Sequence, residues 1–273
     1  MTTIYDKFSL KGKTSIVTGG GGLLGKEFVK TLAEAGSTVY LADVNPDLVH
    51  ETAKSLIGLP GEVRGLLLDV TCTESVTGAF ERIAEQTGRL DVLVNSAALD
   101  PKFDPDHPMA TNNAFEDYPL QLWQDGLNVN LTGVFLASQA ASRMMGKQGS
   151  GSIINICSTY GLVGPDQRIY DFAGKKKVFK PVFYSVTKSG IMGMTRYLAA
   201  YYMGTQIRVN ALTPGGVYNN NPEEFVKNYS SHAILGRMAR KDEMNGALLF
   251  LASDASSYMT GSNVVVDGGW TAW

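Results

Sequence analysis

Short runs of apolar residues, rich in β-branched side chains, recur along the chain between longer segments of mixed polarity. Most runs carry apolar residues at consecutive positions, so both faces of each strand must be covered. This pattern is typical of a parallel sheet held between two layers of helices. Seven strands are predicted, at residues 14–18, 38–42, 63–69, 90–95, 152–157, 207–212 and 263–266.

The segments between these runs show apolar residues at helical spacing. They predict helices at residues 23–35, 47–57, 74–87, 120–145, 182–203 and 241–252. Because strand and helix alternate, we expect the α/β class, with a single Rossmann-type, doubly wound parallel sheet of about seven strands and helices on both faces. No repeat or linker divides the chain, so residues 1–273 are predicted to form one domain.

Charge and composition narrow the class of protein. The chain has 24 Lys and Arg against 26 Asp and Glu, and this balance offers no electrostatic footprint for nucleic acid. No apolar run approaches the roughly 20 residues of a membrane-spanning helix, and the segment MTTIYDKFSL lacks the pattern of a secretory signal. A cytoplasmic enzyme that binds neither nucleic acid nor membrane is expected. Cys72 and Cys157 have neither metal-ligand spacing nor a disulfide framework, so reduced packing cysteines and no metal site are predicted.

A glycine-rich turn follows the first predicted strand. Residues 19–22 are all glycine, and Gly25 lies one turn inside the helix that follows. Without β-carbons the backbone can turn tightly and approach a pyrophosphate, while free amide groups at the helix start attract the anion. Since the turn lies between the first strand and the first helix of an α/β fold, it predicts a dinucleotide site rather than a merely flexible loop.

The second predicted strand ends at an acidic residue, Asp43, 18 residues after Gly25. A carboxylate at this separation accepts hydrogen bonds from the adenosine ribose. It would repel the 2′-phosphate of NADP, and neither Val44 nor Asn45 supplies a compensating cation. NAD is therefore the predicted cofactor; the alternative is that Asp43 is a solvated acid at a strand end.

The segment YSVTK places Tyr184 and Lys188 four residues apart on a predicted helix, so their side chains share one face. A tyrosine that acts as general acid or base needs a phenol pKa lowered from about 10, and a nearby ammonium favours the phenolate. Such pairs are common on helix surfaces. The position of this pair after the fifth strand of a dinucleotide fold is what favours a catalytic role.

Ordered motifs along nearly the whole chain resemble the short-chain dehydrogenase/reductase family, in its compact single-domain branch. They are TGGGGLLG at Thr18, NSAA at Asn95, VNLTG at Val129, INICS at Ile154, YSVTK at Tyr184, PGGV at Pro214 and TGSNVVVDGGW at Thr260. The resemblance implies that Ser158 donates a hydrogen bond to the substrate oxygen while Tyr184 exchanges its proton. It also implies that Lys188 holds the nicotinamide ribose and tunes Tyr184, and that Asn130 steadies a water-linked proton path.

The same resemblance implies which residues contact NAD. Asp69 and Val70 resemble the pair that borders adenine, Asn95 the residue that closes the cofactor cleft, and residues 214–217 a shelf for the nicotinamide. The expected cofactor contacts are Gly19, Gly22, Leu24, Gly25, Asp43, Asp69, Val70, Asn95, Tyr184, Lys188, Pro214, Gly215 and Val217. A homo-oligomer, a tetramer, is implied by relatives that pair through their long helices and carboxyl-terminal segments.

Two single residues depart from the family pattern. Leu23 stands where this branch has glycine, and the remaining glycine spacing resembles the longer branch that processes nucleotide sugars. The ending TGSNVVVDGGW is typical of the short branch, so we keep that prediction, while the shape of the pyrophosphate loop stays open. Asn219 replaces a threonine expected near the cofactor phosphates, although an amide can still donate a hydrogen bond.

Ser158 and Tyr184 are 26 residues apart, more than the family's usual separation, so an insertion is predicted at about residues 166–180. Its basic residues are Arg168, Lys175, Lys176, Lys177 and Lys180. The insertion is either a basic lid that recognises a phosphate, carboxylate or nucleotide on the substrate, or a solvated charged hairpin.

Two more segments border the expected substrate pocket. His107, after the fourth strand, is either a substrate contact or part of a stiff surface loop, and the prolines around it favour the loop. Residues 218–221 (YNNN) begin a segment that closes over substrate in relatives, and their polarity favours a hydroxylated substrate over a long acyl chain.

These observations together favour an NAD(H)-dependent oxidoreductase that interconverts a secondary alcohol and a ketone on a sugar, sugar phosphate or polyol derivative. Two alternatives stay open: a 3-oxoacyl thioester reductase and, from a different class, a non-catalytic NAD-binding scaffold.

Overall fold

Seven parallel strands form the centre of the computed structural model, which describes residues 3–100, 114–170 and 178–273. The strands are β1 (Thr14–Thr18), β2 (Thr38–Asp43), β3 (Val63–Leu67), β4 (Val92–Asn95), β5 (Ser150–Ile156), β6 (Gln206–Pro214) and β7 (Asn263–Val266). Their order in the sheet is β3-β2-β1-β4-β5-β6-β7. The order reverses between β1 and β4, which is the point where doubly wound sheets bind ligands.

Helices cover both faces of this sheet. In the described ranges they are α1 (Ile4–Lys7), α2 (Leu23–Glu34), α3 (Pro46–Ser55), α4 (Thr73–Thr87), α5 (Leu120–Leu127), α6 (Gly133–Gln148), α7 (Val182–Tyr201), α8 (Glu223–Ser230) and α9 (Asn245–Ala252). Ile16 of β1 packs with α4 and α6, whereas its neighbour Val17 packs with α2 and α9. Because successive strand residues face opposite sides, both must be apolar. The predicted Rossmann-type fold is confirmed.

The long helix predicted at residues 120–145 is divided in two. A π-helical turn, Asn128–Thr132, separates α5 from α6. At the start of α6, a Cβ on Gly133 would lie 2.7 Å from the Val70 side chain, so the helix passes close to the segment after β3. A π turn adds one residue to a helical turn and re-aims side chains. The spacing of apolar positions alone did not predict it.

The remaining structural predictions concern the cysteines and the membrane. Cys72 and Cys157 are free thiols, and Cys157 is buried. Across the residues that the structure describes, no helix combines the length and the apolar character needed to cross a bilayer.

Candidate active site

A cleft of about 820 Å³ opens at the carboxyl ends of the strands. Its walls come from the glycine turn after β1, from Asp43 at the end of β2, and from the segments after β3, β4, β5 and β6. This volume lies within the range of ligand and cofactor sites. Twelve of the predicted cofactor residues line it: Gly19, Gly22, Leu24, Gly25, Asp43, Asp69, Val70, Tyr184, Lys188, Pro214, Gly215 and Val217.

The glycine turn has no room for side chains. Gly19 has a φ of 65°, a backbone conformation that favours glycine, and a Cβ there would lie 2.7 Å from the backbone of Ala97. A Cβ on Gly25 would lie 2.0 Å from the Gly19 carbonyl oxygen. Helix α2 therefore begins close against the turn, and no side chain caps its first amide groups. A pyrophosphate fits such a helix start.

Leu23 does not close the cleft. It is the first residue of α2, after the N-cap Gly22, and its side chain forms part of the cleft wall. The departure from the family glycine is therefore accommodated at the rim of the turn rather than inside it.

Asp43 ties the second strand to the glycine turn. Its carboxylate accepts hydrogen bonds from the backbone N–H of Gly21 and of Asn45, both at 3.0 Å. The carboxylate also lines the cleft, where its remaining lone pairs can accept ribose hydroxyls. Its negative charge at this end of the cleft disfavours a phosphate in the same place.

Tyr184, on the first turn of α7, is partly buried at the other end of the cleft. Ser158, which follows β5, lines the cleft close to the Tyr184 side chain. Burial, followed by the negative charge of Asp100, raises the pKa of Tyr184 well above its usual value, while Ser158 acts in the opposite direction. The phenol is therefore protonated at neutral pH, which is the form that donates a proton to a carbonyl oxygen.

Lys188 shares the helix face of Tyr184, as the spacing predicts, but its ammonium is engaged elsewhere. The Nζ donates a hydrogen bond to the Ile156 carbonyl oxygen at 2.8 Å and lies 5.7 Å from the centroid of the Tyr184 ring. Burial lowers the pKa of Lys188. The pKa of Tyr184 is therefore raised rather than lowered as the spacing to Lys188 predicts, because desolvation of the phenolate is the largest effect.

Asn130 is buried in the π turn and fixes a neighbouring loop. Its Oδ1 accepts a hydrogen bond from the Leu99 N–H at 2.7 Å, and its Nδ2 donates to the Leu99 carbonyl oxygen at 3.0 Å. The side chain thereby pins the chain after β4 next to the cleft. Asn130 does not itself line the cleft, although Val129 does.

Asn95, predicted to close the cofactor cleft, is the last residue of β4 and directly precedes the cleft wall. Its Nδ2 donates hydrogen bonds to Ser138 Oγ at 3.0 Å and to Asn155 Oδ1 at 2.8 Å. The cleft wall at this point is formed by the residues that follow it, Ser96, Ala97 and Ala98. The Asn95 side-chain amide thus joins β4, β5 and α6 directly behind the cleft wall, and its contact with the cofactor stays a prediction.

An aromatic cluster, absent from the sequence predictions, forms the wall beyond Tyr184. It consists of Tyr160, Tyr170, Phe225, Tyr229 and Trp270, and all but Trp270 line the cleft. Tyr229 stacks on Trp270 with ring centroids 4.2 Å apart, and the Tyr170 hydroxyl donates to the Tyr160 hydroxyl at 3.0 Å. Two members lie on α8, a helix that was not predicted. The spacing of Phe225 and Tyr229, four residues apart with both buried, is the signal that could have identified it.

The predicted insertion reaches the cleft through one of its basic residues. Lys180 lines the cleft and forms an ion pair with Asp100. Arg168 instead pairs with Asp166 and is directed to solvent. Lys175, Lys176 and Lys177, like His107, lie outside the described residues. Within residues 218–221, Asn219 and Asn221 line the cleft.

Known proteins are similar to nearly the whole chain. The model of the family described as Enoyl-(Acyl carrier protein) reductase matches residues 22–271. The 3-oxoacyl acyl-carrier-protein reductase FabG of Thermotoga maritima is 34% identical over 95% of this chain and 98% of its own length. The D-threitol dehydrogenase of Mycolicibacterium smegmatis is 32% identical over 97% of this chain and 95% of its own.

Solved structures extend this similarity to three dimensions. A short-chain type dehydrogenase/reductase from Mycobacterium marinum superposes with a TM-score of 0.86 at 32% identity, covering 99% of this chain and 100% of that chain. A gluconate 5-dehydrogenase from Burkholderia cenocepacia J2315, in complex with NADP and tartrate, gives a TM-score of 0.85 at 27% identity with the same coverage.

Proposed function

The chain belongs to the short-chain dehydrogenase/reductase family, oxidoreductases that use a nicotinamide cofactor on CH–OH groups, and from that premise we propose its reaction. It is an NAD(H)-dependent interconversion of a secondary alcohol and a ketone on a polar substrate: a sugar, sugar phosphate or polyol derivative. One observation carries the proposal: Tyr184, close to Ser158 and one turn from Lys188, ends a cleft that begins at a glycine turn.

In the proposed reaction, side chains of the protein carry out the proton transfer. When bound, the nicotinamide accepts the hydride from the alcohol carbon or returns it to the ketone carbon. In reduction, Tyr184 Oη donates its proton to the carbonyl oxygen; in oxidation, the alcohol proton passes to the deprotonated Oη. Ser158 holds the same oxygen by a hydrogen bond where negative charge develops. Alcohol and oxidised cofactor thus give ketone, reduced cofactor and one released proton.

NAD rather than NADP is proposed because of the charge at the end of β2. Two backbone N–H groups hold the Asp43 carboxylate in the cleft. The carboxylate therefore has little freedom to move away from a phosphate placed next to it. The Burkholderia structure is in complex with NADP, and a comparison of kcat/KM with NAD and with NADP tests the preference of this chain.

The test is a substitution that removes only the phenol oxygen. NADH formation from NAD and a panel of polyols and sugar derivatives is measured for wild type and Tyr184→Phe. We expect kcat to fall by about 10²–10⁴-fold with NAD binding retained, since proton transfer contributes that much. Tyr258→Phe, at a fully exposed position outside the cleft, is the control. A Tyr184→Phe enzyme with wild-type turnover would contradict the proposal.

Reduction of a 3-oxoacyl thioester is the second candidate, favoured by the Thermotoga relative and by the description of the matching family. Higher kcat/KM on acyl-carrier thioesters than on every polyol and sugar tested would establish it in place of the first.

Residues 1–273 are proposed to act as one cofactor-binding domain, since a single sheet extends from Thr14 to Val266. A homotetramer is also proposed, supported by large exposed side chains at Tyr197 and Tyr201 near the end of α7 and at Met203 just after it. Light scattering in solution tests it. A cytoplasmic location stays a prediction of the sequence.

A further inference from the structure

The ammonium group of Lys180 lies beside the tyrosine of the candidate active site. Its Nζ lies 4.1 Å from the centroid of the Tyr184 ring and 6.0 Å from that of Tyr160. Only 11% of the side chain is exposed, and its backbone N–H donates to the Gln167 side chain at 2.9 Å. A lysine this enclosed loses most of its rotamer freedom, so its ammonium has a defined position in the cleft.

The partner of Lys180 is much less enclosed than Lys180 itself. Asp100, after β4, forms the ion pair with its carboxylate, and half of the Asp100 side chain is exposed to solvent. Water can therefore solvate the Asp100 carboxylate when the pair opens, whereas the Lys180 ammonium would be left without a partner in an aromatic pocket. An unpaired buried charge is strongly unfavourable, so Lys180 requires an anion in either state.

The charges near Tyr184 also favour an anion. Among the described residues that line this end of the cleft, the charged side chains are Lys180, Lys188 and Asp100, which leaves an excess of one positive charge. The other acidic residues of the cleft, Asp43 at the end of β2 and Asp69 after β3, lie at the far side of the sheet. Because the aromatic wall has a low dielectric constant, it strengthens the attraction of this excess positive charge for an anion.

We propose that the substrate carries a carboxylate or phosphate group, which replaces Asp100 as the partner of Lys180. Lys180 is then a specificity-determining residue, and the substrate class is an anionic hydroxy compound or its ketone. Because the ammonium lies over the Tyr184 ring, the anionic group is a few bonds from the reacting carbon. The aromatic cluster packs against the rest of the substrate. This inference rests on the proposed oxidoreductase function.

The test uses three alcohols that share one polyol chain: sorbitol, gluconate and sorbitol 6-phosphate. Their kcat/KM values with NAD are measured, together with their dissociation constants in the presence of NADH by calorimetry. We expect the better anion to have a kcat/KM at least about tenfold higher, and a dissociation constant at least about tenfold lower, than sorbitol, as one retained ionic hydrogen bond allows. Which of the two anions is preferred distinguishes a carboxylate from a phosphate.

Variants at Lys180 then test whether this residue causes the preference for an anionic alcohol over sorbitol. Lys180→Gln should lower the ratio of anion to sorbitol at least about tenfold, while Lys180→Arg, which keeps the charge, should keep most of it. Because the anion and sorbitol both react through Tyr184, an effect of the substitution on Tyr184 itself cancels in this ratio. Lys147→Gln, an exposed lysine of α6, should leave the ratio unchanged. Unchanged melting temperature and NADH binding show that Lys180→Gln is folded.

The outcomes separate the two proposals. Sorbitol turnover equal to that of both anions, or an unaltered ratio in Lys180→Gln, overturns the inference while the oxidoreductase function stands. Lys180-dependent binding of an anion without any turnover of the panel contradicts the proposed function but supports the anion site. Absence of both binding and turnover overturns both proposals.

Discussion

The two ends of the cleft are built in different ways. The cofactor half, comprising the glycine turn and Asp43, is backbone packed against backbone: a Cβ on Gly25 would lie 2.0 Å from a carbonyl oxygen. The substrate half, comprising the aromatic cluster with Lys180 and Asp100, is made of side chains from separate segments. The first half admits almost no substitution, whereas the second can change what it recognises without disturbing the first.

The strongest way to test this contrast is to add one methyl group to the cofactor half. In Gly25→Ala the new Cβ would meet the Gly19 carbonyl oxygen and carbon and the Gly20 Cα, all backbone atoms that cannot rotate away. We expect the free energy of unfolding to fall by about 1–3 kcal/mol and NAD affinity to fall at least about tenfold. Denaturant unfolding and calorimetric titration with NAD measure the two effects.

Gly78→Ala is the matched control for this substitution. Gly78 lies inside α4, and its added Cβ meets nothing within 4 Å. Alanine should there raise the free energy of unfolding by about 0.5–1 kcal/mol, because glycine is a poor helix former. Equal behaviour of the two variants would show that the glycine turn is not tightly packed.

The same contrast explains what could be predicted from the sequence. The glycine turn and Asp43 are adjacent to strand ends, so their place in the cleft follows once β1 and β2 are located; β1 was predicted with its observed bounds and β2 to within one residue. Asn130 shows the limit of such local reasoning. Its side chain must reach Leu99, which lies 31 residues away, and the helix forms a π turn to aim it.

Most of the substrate half could not be predicted from the sequence, because long-range packing brings its residues together. Asp100 and Lys180 are 80 residues apart and come from two different long connections, so no spacing rule joins them. The aromatic cluster collects residues from the segment after β5, from α8 and from the end of the chain. The raised pKa of Tyr184 likewise depends on burial, which the Tyr184 and Lys188 motif does not reveal.

A smaller effect is expected from the charge at the edge of the cofactor half. Asp43→Asn keeps a carbonyl oxygen for the Gly21 or Asn45 N–H but removes the negative charge that opposes a 2′-phosphate. We expect the ratio of kcat/KM with NAD to that with NADP to fall about tenfold, which corresponds to about 1.4 kcal/mol. Asp47→Asn, exposed at the start of α3, is the control, and a wild-type enzyme that already prefers NADP would contradict the assignment.

The smallest expected effect concerns Asp100, where the substrate half acts on the proton chemistry. The negative charge of Asp100 raises the pKa of Tyr184, second only to burial among the causes. Oxidation needs the deprotonated phenol, so its rate should rise with pH as Tyr184 loses its proton. Asp100→Asn removes the repulsion and leaves the Lys180 ammonium unopposed, and both changes favour the phenolate.

The alkaline rise of kcat/KM for alcohol oxidation, which reports ionisation in the free enzyme, should therefore move to lower pH in Asp100→Asn. The shift should shrink at high salt, because Asp100 is half exposed and its charge is screened. Glu224→Gln, an exposed carboxylate on α8, should leave the profile in place. A profile that stays fixed in Asp100→Asn, or moves to higher pH, would show that the substrate half does not control the charge state of Tyr184.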